Sequence, residues 1–504
     1  MARNLPQLQK IKLDQQLTAA DESHIDALEA LIILLPATAS QKAWSVFPYG
    51  ARLKQRLPSG KGSGKAGQIV RSDLPNASAT TAILGFVGTT ASQFDLLSLA
   101  RKLVAKALER NPASLGILMP ELAEARQAPA LDALLAAIHA ACFHIPRYTL
   151  KAAEPSKLKA VRTFGLQRKY DLKQTLATAE GNALARWLTL QPANRLTPAI
   201  YRGHVTRLAK REGWRFEFLD FRKLQALKAG AFLAVAQGSE PRDAGILHLT
   251  YKPARAAAKT KSVALVGKGI CYDTGGINLK SAKGMFGMHG DMQGSAVALG
   301  TLLTLTRLKV PFQVDCWLAV SRNDIGPRAY TQNDVVTASN GVNIEVVHTD
   351  AEGRMVLSDT LAIASKAKPA IMLDYATLTG SCITALGTRY SGAFCNRDEF
   401  VNSVIAAGRA SGERVWPFPV DADYDEALES TVADIKQCLI EGEADHIMAA
   451  RLLSRFVPAS VPWIHVDLAA GEHKGGLAHI PTEVTGFGIR FTTNLLLEQK
   501  LAPR

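Results

Sequence analysis

Cysteine is sparse in this chain, and its placement allows it little chemistry. Six occur in 504 residues, at positions 142, 271, 316, 382, 395 and 438, and none forms a Cys-x-x-Cys pair. This excludes a disulfide framework and a thiolate zinc ribbon, and it fits a reducing, cytoplasmic setting. Long apolar runs are also missing. Ala30–Ala37 is far short of the ~20 residues that span a bilayer and reads as a strand. Nothing elsewhere reaches that length, so no membrane segment is expected. Residues 1–24 are polar and end in Asp21-Glu22-Ser23-His24, which is unlike a secretory signal. Three motifs are absent as well: the Gly-x-Ser-x-Gly elbow, the His-Glu-x-x-His helix and the Gly-x-x-x-x-Gly-Lys-[Ser/Thr] loop. Their absence argues against serine hydrolases, single-zinc hydrolases and P-loop nucleotide enzymes. Acid is in deficit, with 45 Asp and Glu against 59 Lys and Arg, a net charge of +14. The surface is therefore basic and attracts acidic partners. The segment Arg52–Arg71, RLKQRLPSGKGSGKAGQIVR, has no acid at all. It reads first as a solvated loop, and alternatively as a contact for nucleic acid or another polyanion.

What is present alternates between strand-like and helix-like patterns. Residues 1–165 read as a smaller α/β domain, with strands at Ala82–Val87 and Leu115–Met119 and helices at Phe94–Arg110 and Leu131–Cys142. The polar, charged stretch Ala152–Lys173 reads as a linker. Residues 166–504 read as a larger domain with a mostly parallel sheet flanked by helices. Strands are expected near 262–267, 312–320, 343–348, 370–376 and 463–468, and helices near 178–190, 294–308, 355–367 and 444–456. Thr197 before Pro198 is a helix cap followed by proline at the first helical position.

Two polar stretches in the larger domain stand out. The first, Val266–Met292, carries Lys268, Asp273, Lys280 and Asp291 among glycines, and the second, Thr349–Arg354, adds Asp350, Glu352 and Arg354. Each follows an apolar strand pattern, and the carboxyl ends of strands are where open α/β sheets build sites. Carboxylates clustered this closely repel one another unless a cation lies between them, and divalent ions prefer such oxygen ligands.

At these residues the chain resembles the leucyl aminopeptidases, the M17 dinuclear metallopeptidases. The resemblance rests on Val266-Gly-Lys-Gly269, Asp273-Thr-Gly-Gly276, Lys280, Met288-His-Gly-Asp-Met292 and His348-Thr-Asp-Ala-Glu-Gly-Arg354. It continues through Asp374-Tyr-Ala-Thr-Leu-Thr-Gly380, Val432-Ala-Asp-Ile-Lys436 and Thr485-Gly-Phe-Gly488, and covers about Ala185 to Arg490. It implies a cytoplasmic aminopeptidase that takes peptides, assembles as a homohexamer and holds two divalent ions, Mn2+ or Zn2+ or alternatively Mg2+. Asp273 and Glu352 would bridge the ions. Asp350 would serve one, and Asp291 with a neutral Lys268 the other. Lys280 would stabilise the oxyanion. Arg354 would hold a bicarbonate proton shuttle, with the amides of Ala351, Gly353 and Leu378. The first substrate pocket would be lined near Met288, Thr377, Gly380 and Ala469.

The chain departs from that family at several places. His348 stands for the usual Asn, His289 for a Lys or Arg, and Cys271 for a Thr. After Ala469 the run Ala470-Gly-Glu-His-Lys474 is polar; Glu472 reads either as a solvent-facing partner of Lys474 or as a pocket residue that favours Lys or Arg at the peptide's N-terminus. Two further readings stand beside the peptidase: a DNA-binding architectural protein on this scaffold, and a catalytically inactive homologue.

Overall fold

A computed structural model describes residues 5–57, 64–150, 154–254 and 261–503. Part of the basic stretch, residues 58–63, lies outside them. The chain divides into two compact units, one of Leu8–Ala179 with Lys474–Glu483, the other chiefly of Glu180–His473 and Val484–Arg504. The division departs from a single cut at 165/166.

The first unit is built on β1 (Lys12–Gln15), β2 (Ala30–Pro36), β3 (Ile69–Asp73), β4 (Thr81–Val87), β5 (Ser114–Leu118) and β6 (Ala160–Phe164). Their order is β1-β6-β5-β2-β4-β3, and every pair is parallel except β3 with β4. The continuous apolar run of β2 follows from burial on both faces. Ala30, Ile32 and Leu34 pack with the helices Gln93–Ala107 and Glu124–Cys142, while Leu31, Ile33 and Leu35 pack with Trp44, Phe47 and Leu53. The expected linker is in part a strand. In β6, Val161, Thr163 and Phe164 are buried between charged neighbours, and the chain beyond stays with this unit. Tyr170 bonds Gln15 and Gln127 there. Residues 474–483 join it as well, through buried Ala478, whose carbonyl accepts from Arg101 Nε at 3.0 Å.

The strands of the second unit are β7 (Arg215–Leu219), β8 (Gly245–Tyr251), β9 (Val263–Asp273), β10 (Val314–Asn323), β11 (Val335–Thr337), β12 (Asn343–Glu345), β13 (Ile371–Ala376), β14 (Ser391–Cys395), β15 (Val415–Pro417), β16 (Ile435–Lys436) and β17 (Trp463–Asp467). Eight form the main sheet, in the order β15-β14-β17-β13-β9-β10-β8-β7. Its centre, β17-β13-β9-β10, is parallel, and antiparallel joins flank it. Helices cover both faces. Ala264 and Val266 share a core with Met355, Val356 and Leu361 of the helix Glu352–Ser365. On the other face, Gly267 meets Gly294 and Ser295 of the helix Gln293–Arg307.

One strand expected in the main sheet is elsewhere. Asn343–Glu345 belongs to a small sheet, β11-β12-β16, and ends three residues earlier than expected. The Gln437 side chain takes the amides of Val347 and His348, which a longer strand would have used. The outer strands β7, β8, β14 and β15 lie outside the expected set. The edge strand β15 has three residues and the edge strand β7 alternates charged with apolar residues, so their pattern is weak, whereas β8 is a seven-residue strand whose apolar run carries a histidine. Among the described residues no helix is long and apolar enough to cross a membrane.

Candidate active site

The site sits where β9 outruns its neighbour. β13 pairs with β9 only from Val263 to Gly267, whereas β10 follows it to Asp273. Lys268 is thus the first residue beyond the β13 edge, and Asp273 closes the strand. Two glycines with positive φ, Gly275 (88°) and Gly276 (64°), turn the chain back over the sheet, a conformation that a side chain at Cβ resists. The turn is tied down by Thr349. Its hydroxyl donates to the Gly275 carbonyl at 2.7 Å, its amide donates to Asn278 Oδ1 at 2.9 Å, and it accepts from the Asn278 amide at 2.8 Å. This exchange joins the two acidic stretches, which lie far apart in sequence.

Six side chains converge there. Lys268 Nζ lies 2.8 Å from both Asp291 Oδ2 and Glu352 Oε1. Lys280 Nζ lies 2.9 Å from Asp273 Oδ2 and 2.5 Å from Asp350 Oδ1. Asp273, Asp350 and Glu352 each present an oxygen within 4.8 Å of the others. Lys268, Asp273, Asp291 and Glu352 are all buried. Thr377 orients Asp291 through a 2.7 Å hydrogen bond, and Asn323 with the Gly275 amide orients Asp273, each at 2.9 Å.

Burial pushes the pKa of Asp291, Asp350 and Glu352 upward, and the neighbouring Asp273 charge adds to the shift. Burial acts in the opposite sense on Lys268 and Lys280, but the carboxylates around them prevail and raise both. Asp291 Oδ2, Asp350 Oδ1 and Glu352 Oε1 each pair with a lysine ammonium at 2.5 to 2.8 Å, and four carboxylates share two lysines. Carboxylates crowded in excess of the cations beside them suit divalent ions, so the residues fit a metal centre.

Of the expected bicarbonate donors, the Ala351 and Leu378 amides and both Arg354 Nη atoms are engaged within the chain, while Arg354 Nε is buried without a hydrogen-bond partner. Arg354 grips Asp445 through Nη2, at 3.0 and 2.8 Å, and Nη1 donates to the Gln437 carbonyl at 3.2 Å. The Ala351 amide donates to the His348 carbonyl and the Leu378 amide to Asp467 Oδ1, both at 3.1 Å. Beside Gly353, a Cβ would lie 2.7 Å from Lys268 Nζ and 2.9 Å from Leu378 Cδ1.

The pocket residues are distributed more loosely. Met288 is half-buried in the short turn before Asp291, Ala469 is buried after β17, and open space adjoins Gly380. Glu472 is exposed, and its Oε1 would lie 3.2 Å from a Cβ at Gly290. His289 is half-buried, and burial lowers its pKa. His348 Nδ1 accepts the Asp350 amide at 3.2 Å, the two-residue reach that an Asn side chain makes in an Asx turn. Cys271 is a buried free thiol.

Several contributors were missed from sequence. Asn323 also donates to the Thr349 carbonyl at 3.0 Å, and the Tyr330 hydroxyl reaches the same carbonyl at 2.7 Å. A signal for Asn323 existed in Ser321-Arg-Asn-Asp324, a polar break ending an apolar strand. Gln437, Asp445 and Asp467 carried no comparable local signal.

Residues 183–493 match the catalytic domain of the cytosol aminopeptidase family. A probable cytosol aminopeptidase of Gloeobacter violaceus is 35% identical over 413 residues, covering 78% of this chain and 80% of that protein. One from a Polaromonas species is 34% identical over 457 residues, covering 89% and 88%. A solved structure of a tomato leucine aminopeptidase mutant superimposes with a TM-score of 0.86 at 27% identity, covering 99% of this chain and 98% of that one. Fold, sequence and the acidic centre within the matched segment lead to one conclusion: the chain belongs to the cytosol aminopeptidase family and is an enzyme of the aminopeptidase class.

Proposed function

We propose that the chain releases single residues from the N-termini of peptides with two divalent cations, Mn2+ or Zn2+, held by Asp273, Asp291, Asp350, Glu352 and Lys268. The observation that carries this reading is the convergence of four carboxylates on two lysines, with oxygens of Asp273, Asp350 and Glu352 within 4.8 Å of one another. When bound, the cations supply Lewis acidity to a water and to the scissile carbonyl. Thr377 and Asn323 fix Asp291 and Asp273, so these carboxylates are oriented before any ligand arrives. Lys268 can be a ligand only as the neutral amine. The carboxylates that hold its proton are the groups that cations would take over, so cation binding and loss of that proton go together. Lys280 is more exposed than Lys268 and is held by Asp273 and Asp350. With those carboxylates committed to cations, its charge is available to the oxyanion that develops on the carbonyl. Glu472, turned toward Gly290, favours a basic first residue. The exposed Ile277, Leu279 and Phe286 beside this centre are consistent with assembly as a homohexamer.

The test is a metal-titrated activity panel on Leu-, Met-, Lys- and Arg-amides, with bound metal counted by elemental analysis and oligomer mass measured by light scattering. Two ions per chain, loss of activity on chelation and recovery on metal return are expected. Full activity with a single ion per chain would sink the two-cation reading. Leu- or Met-amide turned over faster than the basic amides would remove the selective role of Glu472.

A further inference from the structure

We infer that Asp445 is the built-in anion of this site, a positioning residue that pairs with the Arg354 charge where the family resemblance implies a bicarbonate ion. The inference rests on the aminopeptidase reading for its activity arm only. Arg354 is 2% exposed and lies in the first turn of the helix that begins with Glu352. A guanidinium so buried stays charged and requires an anion. The chain provides one from the first residue of the helix Asp445–Ser454, in a two-oxygen contact at 3.0 and 2.8 Å. Both oxygens are met by the one nitrogen Nη2, a charge-assisted contact whose other nitrogen, Nη1, is held by the Gln437 carbonyl.

Two of the expected backbone donors are taken as well, while Arg354 Nε is buried without a hydrogen-bond partner. The Ala351 amide is bonded to the His348 carbonyl and the Leu378 amide to Asp467, while Lys268 and the Leu378 side chain occupy the space beside Gly353. A free oxyanion would have to displace Asp445 and add a negative charge close to buried Glu352. A carboxylate already tethered to the fold also has an effective concentration far above that of a dissolved ion. Asp445 contacts Arg354 and not the lysines of the cluster. It acts through Arg354, fixing the helix start from which Glu352 projects.

The experiment compares the metal-loaded full-length protein with its Asp445→Ala and Asp445→Asn variants, in buffers stripped of carbonate and in added sodium bicarbonate, with sodium chloride at matched ionic strength as control. Wild type is expected to keep its kcat in both buffers and to show no bicarbonate-specific change in Tm. Asp445→Ala should lose kcat by about 10- to 100-fold, as supporting partners of metal ligands do. Its KM should change less, and bicarbonate should restore kcat and raise Tm, because the deletion opens the anion place. Asp445→Asn, which keeps the shape, serves if the alanine variant does not fold, and its kcat should likewise fall. Wild type that loses kcat without bicarbonate, or melts higher with it, overturns the inference. So does an alanine variant whose kcat and Tm ignore bicarbonate. If wild type hydrolyses no aminoacyl-amide, the aminopeptidase reading fails, and the melting comparison still decides the role of Asp445.

Discussion

Lys268 and Lys280 show how two like residues in one cluster acquire different parts. Lys268 is enclosed, with Asp291 and Glu352 on one side and the Thr377 carbonyl at 3.1 Å on the other. Lys280 comes from the turn after β9, keeps 17% of its side-chain surface, and contacts Asp350, the most exposed carboxylate of the cluster, together with buried Asp273. A substrate carbonyl can approach Lys280 more readily than Lys268. Lys280→Ala is therefore expected to lower kcat by about a hundredfold or more with little change in KM, the pattern of a donor used mainly in the transition state. Steady-state kinetics on the best aminoacyl-amide checks this, and a loss confined to KM would assign Lys280 to ground-state binding. Acids and lysines of this kind can be read from sequence because their chemistry is carried by their own side chains. The part played by His348 could not be read: its nitrogen serves the Asp350 amide two residues on, which only the loop conformation decides.

At the scale of elements, the site depends on how closely one helix approaches the sheet. A Cβ at Gly294 would lie 2.0 Å from the Tyr375 carbonyl oxygen of β13, and one at Gly267 would lie 2.5 Å from the Gly294 carbonyl oxygen. Both collisions involve backbone, so the helix Gln293–Arg307 must retreat if either glycine gains a side chain. That helix follows Asp291 directly, and its retreat would draw Asp291 from Lys268. Gly294→Ala is expected to cost about 1–3 kcal/mol of stability, the usual penalty of overpacking, measured by denaturant unfolding. Bound metal should fall with it. A variant as stable as wild type would show that the helix can shift freely. Helix starts were legible where the signal is local: the Thr197 hydroxyl caps Ile200 ahead of Pro198, as the sequence pattern required. The strand at 343–345 was misplaced in the main sheet because its partners, Ile435–Lys436 and Val335–Thr337, are distant in sequence and short.

The molecule as a whole buries titratable groups outside the cluster, and these couple stability to pH. Glu413 lies at the N-terminus of the helix Ile489–Leu497, where Oε2 accepts the Gly488 and Phe491 amides at 2.9 and 2.8 Å. Burial raises its pKa from 4.5 to about 7, against the pull of those amides and of Arg490. Below pH 4.5 the carboxyl is protonated in both folded and unfolded chains and contributes nothing to the pH dependence. Between about 4.5 and 7 the unfolded chain releases the proton while the folded one keeps it, so this group makes stability fall as pH rises. Glu413→Gln keeps the acceptor and removes the titration. The variant should match wild type near pH 4.5. By pH 8 it should be more stable by roughly 1–3 kcal/mol. Denaturant melts of both proteins across that range decide it, and parallel pH profiles would show that Glu413 does not titrate there.

By itself the sequence determined the class of this protein. Alternating apolar and polar runs specify an α/β chain because burial on a sheet or helix follows a fixed period, and the clustered Asp, Glu, Lys and glycine mark a site because carboxylates so close repel one another unless a cation lies between them. Local order was enough to mark that a strand near 262–267 and a helix near 355–367 flank these charges, although β9 runs six residues further, to Asp273, and the helix starts three residues earlier, at Glu352. Tertiary structure alone decided which of those charges meet and what holds them. Thr349 joins the two acidic stretches through Gly275 and Asn278, Asn323 and Thr377 aim two of the carboxylates, and Asp445 reaches Arg354 from 91 residues away. Such pairings have no period and no local motif. They arise when backbone and side-chain groups, buried by the packing of distant elements, must find partners within the fold, and their identity is set only when the chain has closed around them.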